Sequence, residues 1–352
     1  FFFQAEDGKR DRSPSRGLGD VYKRQVTLPS PEMKQAIFDA KLGDDVYGED
    51  PTVNELERLS AEMFGKEAAV LVTSGTMGNL VSVLAHCQRG DQIVVGDKCH
   101  IYRAEAGGIA ALGGIFPTVL QNDSEGKLDL DEIEASIEPL NVHRAPTKLV
   151  ALENTANAAG GKTLSKEYMD SVKKICDEND VALHIDGARI FNASVALEMP
   201  VSELTKSVDS LTFCLSKGIG APVGSVIVGS EEYIQEARKW RKMVGGGMRQ
   251  AGIIAAAGIV GIDNHYAQIS KDHQNATKLA EGLKKFPQLS IEDVETNLVF
   301  FSINLPSPQK LADKLSSKGL LGGNAGSRWR FATHYGIEAS DIDDALNFME
   351  LS

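Results

Sequence analysis

The chain has 352 residues, of which 42% are apolar and 24% charged, and a formal net charge of −12. These are values of a globular protein long enough for a large core and more than one lobe. No run approaches about 18 consecutive apolar residues, so no transmembrane helix is expected, and the acidic balance argues against a nucleic-acid-binding protein, whose footprint is basic. The four cysteines, Cys87, Cys99, Cys176 and Cys214, form no CxxC pair and show no zinc spacing. Free thiols in a reducing compartment follow, consistent with a cytoplasmic enzyme bound to neither nucleic acid nor membrane.

The opening stretch FFFQAEDGKRDRSPSRGLGDVYKRQ, residues 1–25, has neither helical nor strand periodicity and lacks the order of a signal peptide. It resembles translated sequencing-adapter read-through. A disordered native tail is the plainer reading, and either way no ordered role is expected before about Val26.

From Val26 onward the pattern is regular. MKQAIFDAKL reads as a helix, and EDPTVNELERLSAEMFG as a second, opened by Pro-Thr, with Leu56, Leu59 and Met63 at helical spacing. AAVLVTS is a short buried strand and GTMGNLVSVLAHC the helix after it. Strand QIVVG, a helix near 103–112, strand IFPTVL and helix DLDEIEASI come next. Strand KLVALEN, helix SKEYMDSVKKICDEN and the strands ALHIDGA, SLTFCLS and GSVIVGS follow, then helix EEYIQEARKWRKM. Strands alternating with helices predict an α/β fold with a mainly parallel sheet covered on both faces. GGGMRQAGIIAAAGIVGI reads as a glycine-rich bend into a small-residue helix and marks a candidate lobe boundary. Helix DHQNATKLAEGLKKF and strands LVFFSI and WRFATHY then predict a smaller α+β C-terminal domain. The expected divisions are residues 1–25 as lead, 26–245 as the large domain and 246–352 as the small one.

Ligands of such sheets bind beyond the carboxyl ends of the strands. Four polar clusters fall at such ends: Ser74-Gly75-Thr76, Glu153-Asn154-Thr155, Asp186-Gly187-Ala188-Arg189 and Ser216-Lys217-Gly218. Lys217 ends an apolar strand, in a loop of small residues. A desolvated lysine is a usable amine nucleophile and forms a Schiff base with an aldehyde such as that of pyridoxal phosphate. A surface lysine in a glycine loop is the plainer reading. Asp186 at a strand end needs a partner. That partner is either a pyridinium nitrogen, kept protonated so that the ring acts as an electron sink, or Arg189. Gly75-Thr76 opens a helix whose free N–H groups suit phosphate, although Ser74 or Thr76 acting as a simple cap would leave the same trace. His100 follows another strand and is placed to stack on a ring or handle protons. Arg330 is suited to clamping a carboxylate. His143 has no local context. Singly these signals are weak; together they supply an aldehyde anchor, a pyridine partner, a phosphate seat, a stacking group and a carboxylate clamp.

GDDVYGEDPTVNELE, SGTMGNL, HIDGARIFNA, CLSKGIGAPVGS and GGGMRQAG closely resemble the low-specificity L-threonine aldolases, from about Val26 to the C-terminus. The resemblance implies the fold type I, aspartate-aminotransferase-like architecture of pyridoxal-phosphate enzymes. It also implies a homotetramer, a dimer of dimers whose sites use residues of two subunits, with no metal among the site residues. By matching motifs, Lys217 carries the cofactor, Asp186 pairs with the ring nitrogen and His100 stacks on the ring. Gly75, Thr76 and Arg249 hold the phosphate, Arg249 coming from the neighbouring subunit. Arg189 lies between cofactor and substrate, and with Arg330 it holds the substrate carboxylate. Tyr47 lines the pocket from a subunit boundary, and His143 matches a histidine near the substrate β-hydroxyl. The implied reaction is retro-aldol cleavage of L-threonine or L-allo-threonine to glycine and acetaldehyde, with the base left open among His100, His143 and water. A racemase, a β-eliminating lyase, an aminotransferase or a cofactor-binding protein without turnover are the alternatives on the same fold. Two positions depart from the family pattern. Lys23 stands where the family has a serine that approaches the substrate carboxylate, and Ala156 replaces a histidine in ENTAN, which predicts altered packing or substrate preference.

Overall fold

The local signals become elements with few shifts of boundary. The structure is a computed structural model that describes residues 27–304, 323–325 and 328–350; the lead sequence 1–25 and Lys23 lie outside these. Helices start where side chains cap them. Ser30 accepts from the Met33 N–H to open α1 (Pro31–Asp39), and Asp50 accepts from Thr52 and Val53 to open α2 (Pro51–Phe64). Strand β1 (Ala68–Val72) leads through the Ser74 cap into α3 (Gly75–His86). Next come β2 (Gln92–Gly96), α4 (His100–Arg103), α5 (Gly108–Ala111), β3 (Phe116–Leu120), α6 (Leu130–Ser136) and β4 (Thr147–Glu153). The single helix predicted near 103–112 is therefore two short ones. Ala106 and Gly107 have φ of 54° and 68° between them, and no helix continues through left-handed residues.

The chain goes on through α7 (Lys166–Glu178), β5 (Ala182–Asp186), α8 (Ile190–Ala196), α9 (Val201–Leu204), β6 (Ser210–Cys214), β7 (Ser225–Gly229) and α10 (Glu231–Met243). Helices α8 and α9 have no counterpart among the predicted elements. Helix α11 (Gly252–Leu283) is one continuous element of 32 residues where two helices were expected. Strands β8 (Leu289–Ile291), β9 (Leu298–Ile303), β10 (Gly323–Ala325) and β11 (Arg328–Ala332) and helix α12 (Ala339–Glu350) complete the described chain.

The seven-stranded sheet has the order β1-β7-β6-β5-β4-β2-β3. The pairs β2–β3, β2–β4, β4–β5 and β5–β6 are parallel, and β7 runs antiparallel to both its neighbours. The fold is thus mixed α/β around a mostly parallel sheet. Alternate residues of each strand face opposite layers. Leu183, Ile185, Leu211, Phe213, Val226 and Val228 join Met169 and Val172 of α7 and Ile190 and Phe191 of α8 in one core. Val70, Val72 and Ile227 meet Val81 of α3 and Ile234 and Ala237 of α10 on the other face. The four-stranded antiparallel sheet β10-β11-β9-β8 packs with α11 and α12 around Phe301, Phe331 and Leu283.

Two buried acids tie the large sheet to its helices. Glu57 of α2 accepts from the Leu71 N–H at 2.8 Å and pairs with Arg238 of α10 at 2.5 Å. Asp45 pairs with the buried Arg241 at 3.0 Å. The first fixes α2 and α10 against β1 and the second ties the turn at 45–47 to α10; the carboxyl end of β1 delivers Ser74 and Gly75 to the same edge of the sheet as Asp186 and Lys217.

Candidate active site

Parallel register does most of the assembly. Glu153 and Asp186 are register partners at the ends of β4 and β5, and Asp186 is paired in turn with Thr212 of β6. Lys217 follows β6 by a short turn. A cavity of about 320 Å³ opens at these ends, lined by His100, Glu153, Asn157, Asp186, Ala188, Arg189, Ser216, Lys217 and Arg330. It lies within the size range of small-molecule sites.

Asp186 is 3% exposed. Its Oδ1 accepts from the Ala188 N–H at 3.1 Å and its Oδ2 from Asn79 Nδ2 at 2.8 Å. Glu153 accepts from two backbone N–H groups, His100 at 2.6 Å and Asn157 at 2.9 Å. Burial first, and the neighbouring Asp186 charge second, push the Glu153 carboxyl up to about 7. His100 donates from Nδ1 to Glu105 Oε1 at 2.8 Å. That hydrogen bond outweighs burial and raises the imidazole above its ordinary value, while burial raises Glu105.

The guanidinium groups of Arg189 and Arg330 converge on Asn157. Its Oδ1 accepts from Arg330 Nη1 at 2.7 Å and from Arg189 Nη1 at 3.4 Å. Burial, with repulsion from Arg330 as the next cause, lowers Arg189 to about 10. Two cations held side by side at one wall of a cavity suit a small carboxylate.

Gly75 and Thr76 lie outside that lining, at the first turn of α3. Ser74 accepts from the Met77 N–H, the cap that the sequence offered as the plainer reading. A Cβ on Gly75 would stand 2.9 Å from Cys214 Sγ, so glycine lets the turn settle on the end of β6 beside the Lys217 loop. The buried Ser225 Oγ nearby has no hydrogen-bond partner among the described residues.

One expectation, His143, is not met; Arg249 and Tyr47, expected at a subunit boundary, lie outside this chain's cavity, and Ala156 is a packing position. His143 sits in the turn at 141–144, before β4, and lines a different cavity with Phe116, Glu138 and Arg144. The length of β4, roughly 20 Å, separates it from Glu153, so His143 is not near a substrate in this chain's own cavity. Arg249 and Tyr47 are exposed, the guanidinium 6.0 Å from the tyrosine ring, with Arg249 ion-paired to Asp44. Neither reaches the cavity. Ala156 faces Gly126, where any Cβ on that glycine would collide with it; it packs against the 122–127 turn and does not line the cavity.

Asn79, Glu105 and Asn157 were missed by the sequence reading, and Glu153 was noted without a role. For Asn79 a signal existed. Asn79, Ser82 and His86 fall on one face of α3, and in the sheet His184 and Asp186, and likewise Ser210 and Thr212, alternate with apolar neighbours. The two polar faces meet, through Ser82 with Thr212 at 3.2 Å and through Ser210 with His86 at 2.7 Å and His184 at 2.8 Å.

The donor set fits pyridoxal phosphate. An amine and a buried carboxylate line one cavity, three acidic groups (Glu105, Glu153 and Asp186) gather where a cationic ring nitrogen would offset them, and the glycine-opened helix end lies beside the Lys217 loop. No described helix is long and apolar enough to cross a membrane.

Comparison with known proteins agrees with this geometry. Residues 25–305 match the beta-eliminating lyase family. The chain is 45% identical over 338 residues to low-specificity L-threonine aldolase 1 of Arabidopsis thaliana, covering 93% of this chain and 94% of that one. It is 44% identical over 323 residues to the low specificity L-threonine aldolase of Escherichia coli K12, covering 92% and 96%. A solved threonine aldolase of Leishmania major superposes with a TM-score of 0.80 at 18% identity, over 94% of this chain and 98% of that one, a likeness of fold.

Proposed function

Since the chain belongs to the beta-eliminating lyase family, and within it to the low-specificity L-threonine aldolases, we propose that its cavity cleaves L-threonine and L-allo-threonine to glycine and acetaldehyde with pyridoxal phosphate as cofactor. The observation that carries this reading is a single cavity holding the Lys217 amine, the Asp186 carboxylate and the paired guanidinium groups of Arg189 and Arg330.

Bound through Lys217, pyridoxal phosphate supplies an electron sink for the pair released at Cα when the Cα–Cβ bond breaks. The protein does the rest. Arg189 and Arg330, oriented by Asn157, hold the substrate carboxylate and so fix which Cα bond is cleaved. Asp186, its two oxygens each accepting an N–H, would pair with the ring nitrogen. His100 would lie against the ring and, with Glu105 behind it, would hold the proton that leaves the β-hydroxyl; a bound water is the other candidate base. The aldehyde carbon keeps the hydroxyl oxygen and Cα gains one proton, so the products balance the substrate. Gly75 and Thr76 seat the phosphate at the start of α3.

Arg249 and Tyr47 complete the phosphate seat and the pocket only from a second copy of the chain. Their exposure in the isolated chain supports a homo-oligomer, a dimer of dimers by family resemblance. The division into a large domain at 26–245 and a small one at 246–352 is retained as a proposal, with α11 spanning both cores. A cytoplasmic location is proposed on the four buried free thiols.

The test is acetaldehyde release from each threonine epimer, coupled to NADH oxidation, with Lys217→Ala as control. Cleavage by the wild type and none by the variant is expected. A wild type that turns yellow with the cofactor but releases no aldehyde would overturn the aldolase reading and leave the cofactor assignment standing.

A further inference from the structure

Asn79 lies one turn into α3, 1% exposed, beneath the cavity floor. Its Nδ2 is 2.8 Å from Glu105 Oε1 and 2.8 Å from Asp186 Oδ2. An amide nitrogen has two hydrogens, and here each has a carboxylate acceptor. Its Oδ1 is buried with no partner among the described residues. An orphaned buried carbonyl is costly, so the side chain accepts that cost to keep both N–H groups on the two acids.

His100, Glu105 and Asp186 also have ligand atoms within 4.8 Å of one another, as a metal site would. The Asn79 N–H groups pointing at two of those three residues oppose a cation there. What the arrangement does is link four groups in series by three hydrogen bonds: Asp186 to Asn79, Asn79 to Glu105, and Glu105 to His100 Nδ1.

We propose that Asn79 is a positioning residue for the cofactor's ring nitrogen, its amide tying Asp186 to Glu105 while Glu105 extends the tie to the His100 ring. The proposal rests on the reading of the cavity as a pyridoxal-phosphate site. The Asp186 charge adds to burial in raising Glu105 and Glu153, and the donors Asn79 and Ala188 hold the two Asp186 oxygens in place for a ring N–H. With Nδ1–H held by Glu105, Nε2 is the His100 nitrogen left for the substrate. Helix α3 thus sets both ends of the cofactor, Gly75 at the phosphate and Asn79 behind the ring nitrogen's partner.

The test uses the full-length wild type, Asn79→Leu, Asn79→Ala and Glu105→Gln. Dissociation constants are measured for pyridoxal phosphate and for the analogue with carbon in place of the ring nitrogen. His100 is titrated by NMR before cofactor is added; it faces Glu105, Glu153 and Asp186, with Lys217 and Arg189 on the same cavity wall. The wild type should prefer the natural cofactor, and both Asn79 variants should lose about tenfold of that preference. The alanine variant decides the matter should leucine prevent folding. Glu105→Gln keeps the acceptor for Asn79, so the preference should survive while the His100 midpoint falls. Wild-type preference in the Asn79 variants overturns the role of Asn79, and an unmoved His100 midpoint overturns the Glu105 link. A wild type that binds neither compound sinks the cofactor reading and the Asn79 proposal together, an outcome distinct from either of those.

Discussion

Asn157 shows how much one side chain can do at the residue scale. It offers Oδ1 to two guanidinium groups while its N–H anchors Glu153. Asn157→Ala removes the acceptor the two cations share and leaves both in place, so one of the contacts that orients them is lost and their charge is kept. KM for threonine is expected to rise about tenfold, with kcat changed far less, because the carboxylate is held alike in ground and transition states. Steady-state kinetics check this; a fall in kcat at constant KM would instead place Asn157 at the reacting atoms. Asp186 was legible in the sequence because it is an ionisable residue closing a buried strand, and Lys217 because it follows one in a loop of small residues. Asn157 was not, since nothing in ENTAN says that two arginines, one from α8's leading turn and one from β11, will meet on it.

At the scale of elements, α3 is the least ordinary helix, because the stripe it turns to the sheet is polar as well as apolar. His86 and His184 share Ser210 Oγ beneath it, and burial lowers His86 to about 4 and His184 to about 3. Both rings are neutral in the fold, while the unfolded chain takes up protons near 6.5. The unfolded state therefore binds more protons in between, and stability should fall as pH drops from about 6.5 towards about 4 and below. His86→Phe, which keeps a ring against Tyr233, should flatten part of that slope in urea titrations across this range; an unchanged slope would show that the acid sensitivity lies elsewhere. The cap of α2 is a second such device. Asp50, fully buried, accepts from the N–H groups of Gly43, Thr52, Val53 and Gly252. Asp50→Ala strands four donors belonging to three segments and is expected to cost about 3 kcal/mol, with Asp50→Asn costing less. Chemical denaturation measures both.

At the scale of the whole molecule, the chain's own cavity lacks Arg249, which stands exposed beside Tyr47 and Asp44. If Arg249 serves a neighbour's cavity, Lys217→Ala and Arg249→Ala should each be inactive or nearly so. When the two are unfolded and refolded together, hybrid dimers should regain roughly a quarter of the wild-type sites, since half the dimers are mixed and each carries one intact site. No recovery on mixing, with hybrids confirmed by mass, would place Arg249 in its own subunit's chemistry.

Periodicity and strand-end chemistry sufficed for the α/β class and the mostly parallel sheet and singled out Lys217, Asp186 and His100, because these are local facts: a strand's last residue, a helix's first turn, a cation in a loop of small residues; the role of Arg189 came from the family resemblance, and that of Arg330 from its chemistry and not its place in a strand. The split of the 103–112 helix hung on the backbone of Ala106 and Gly107, and the unbroken run of α11 on packing along its length, which no short window contains. His143 needed the tertiary structure for a plainer reason. Spacing along the chain does not say which end of a strand a residue flanks the site from, and β4 carries His143 to the far edge. Asn79 and Glu105 likewise acquire meaning only when α3 is laid on β5, since hydrogen bonds join atoms that are close in space, here between residues as far apart in sequence as Asn79 and Asp186.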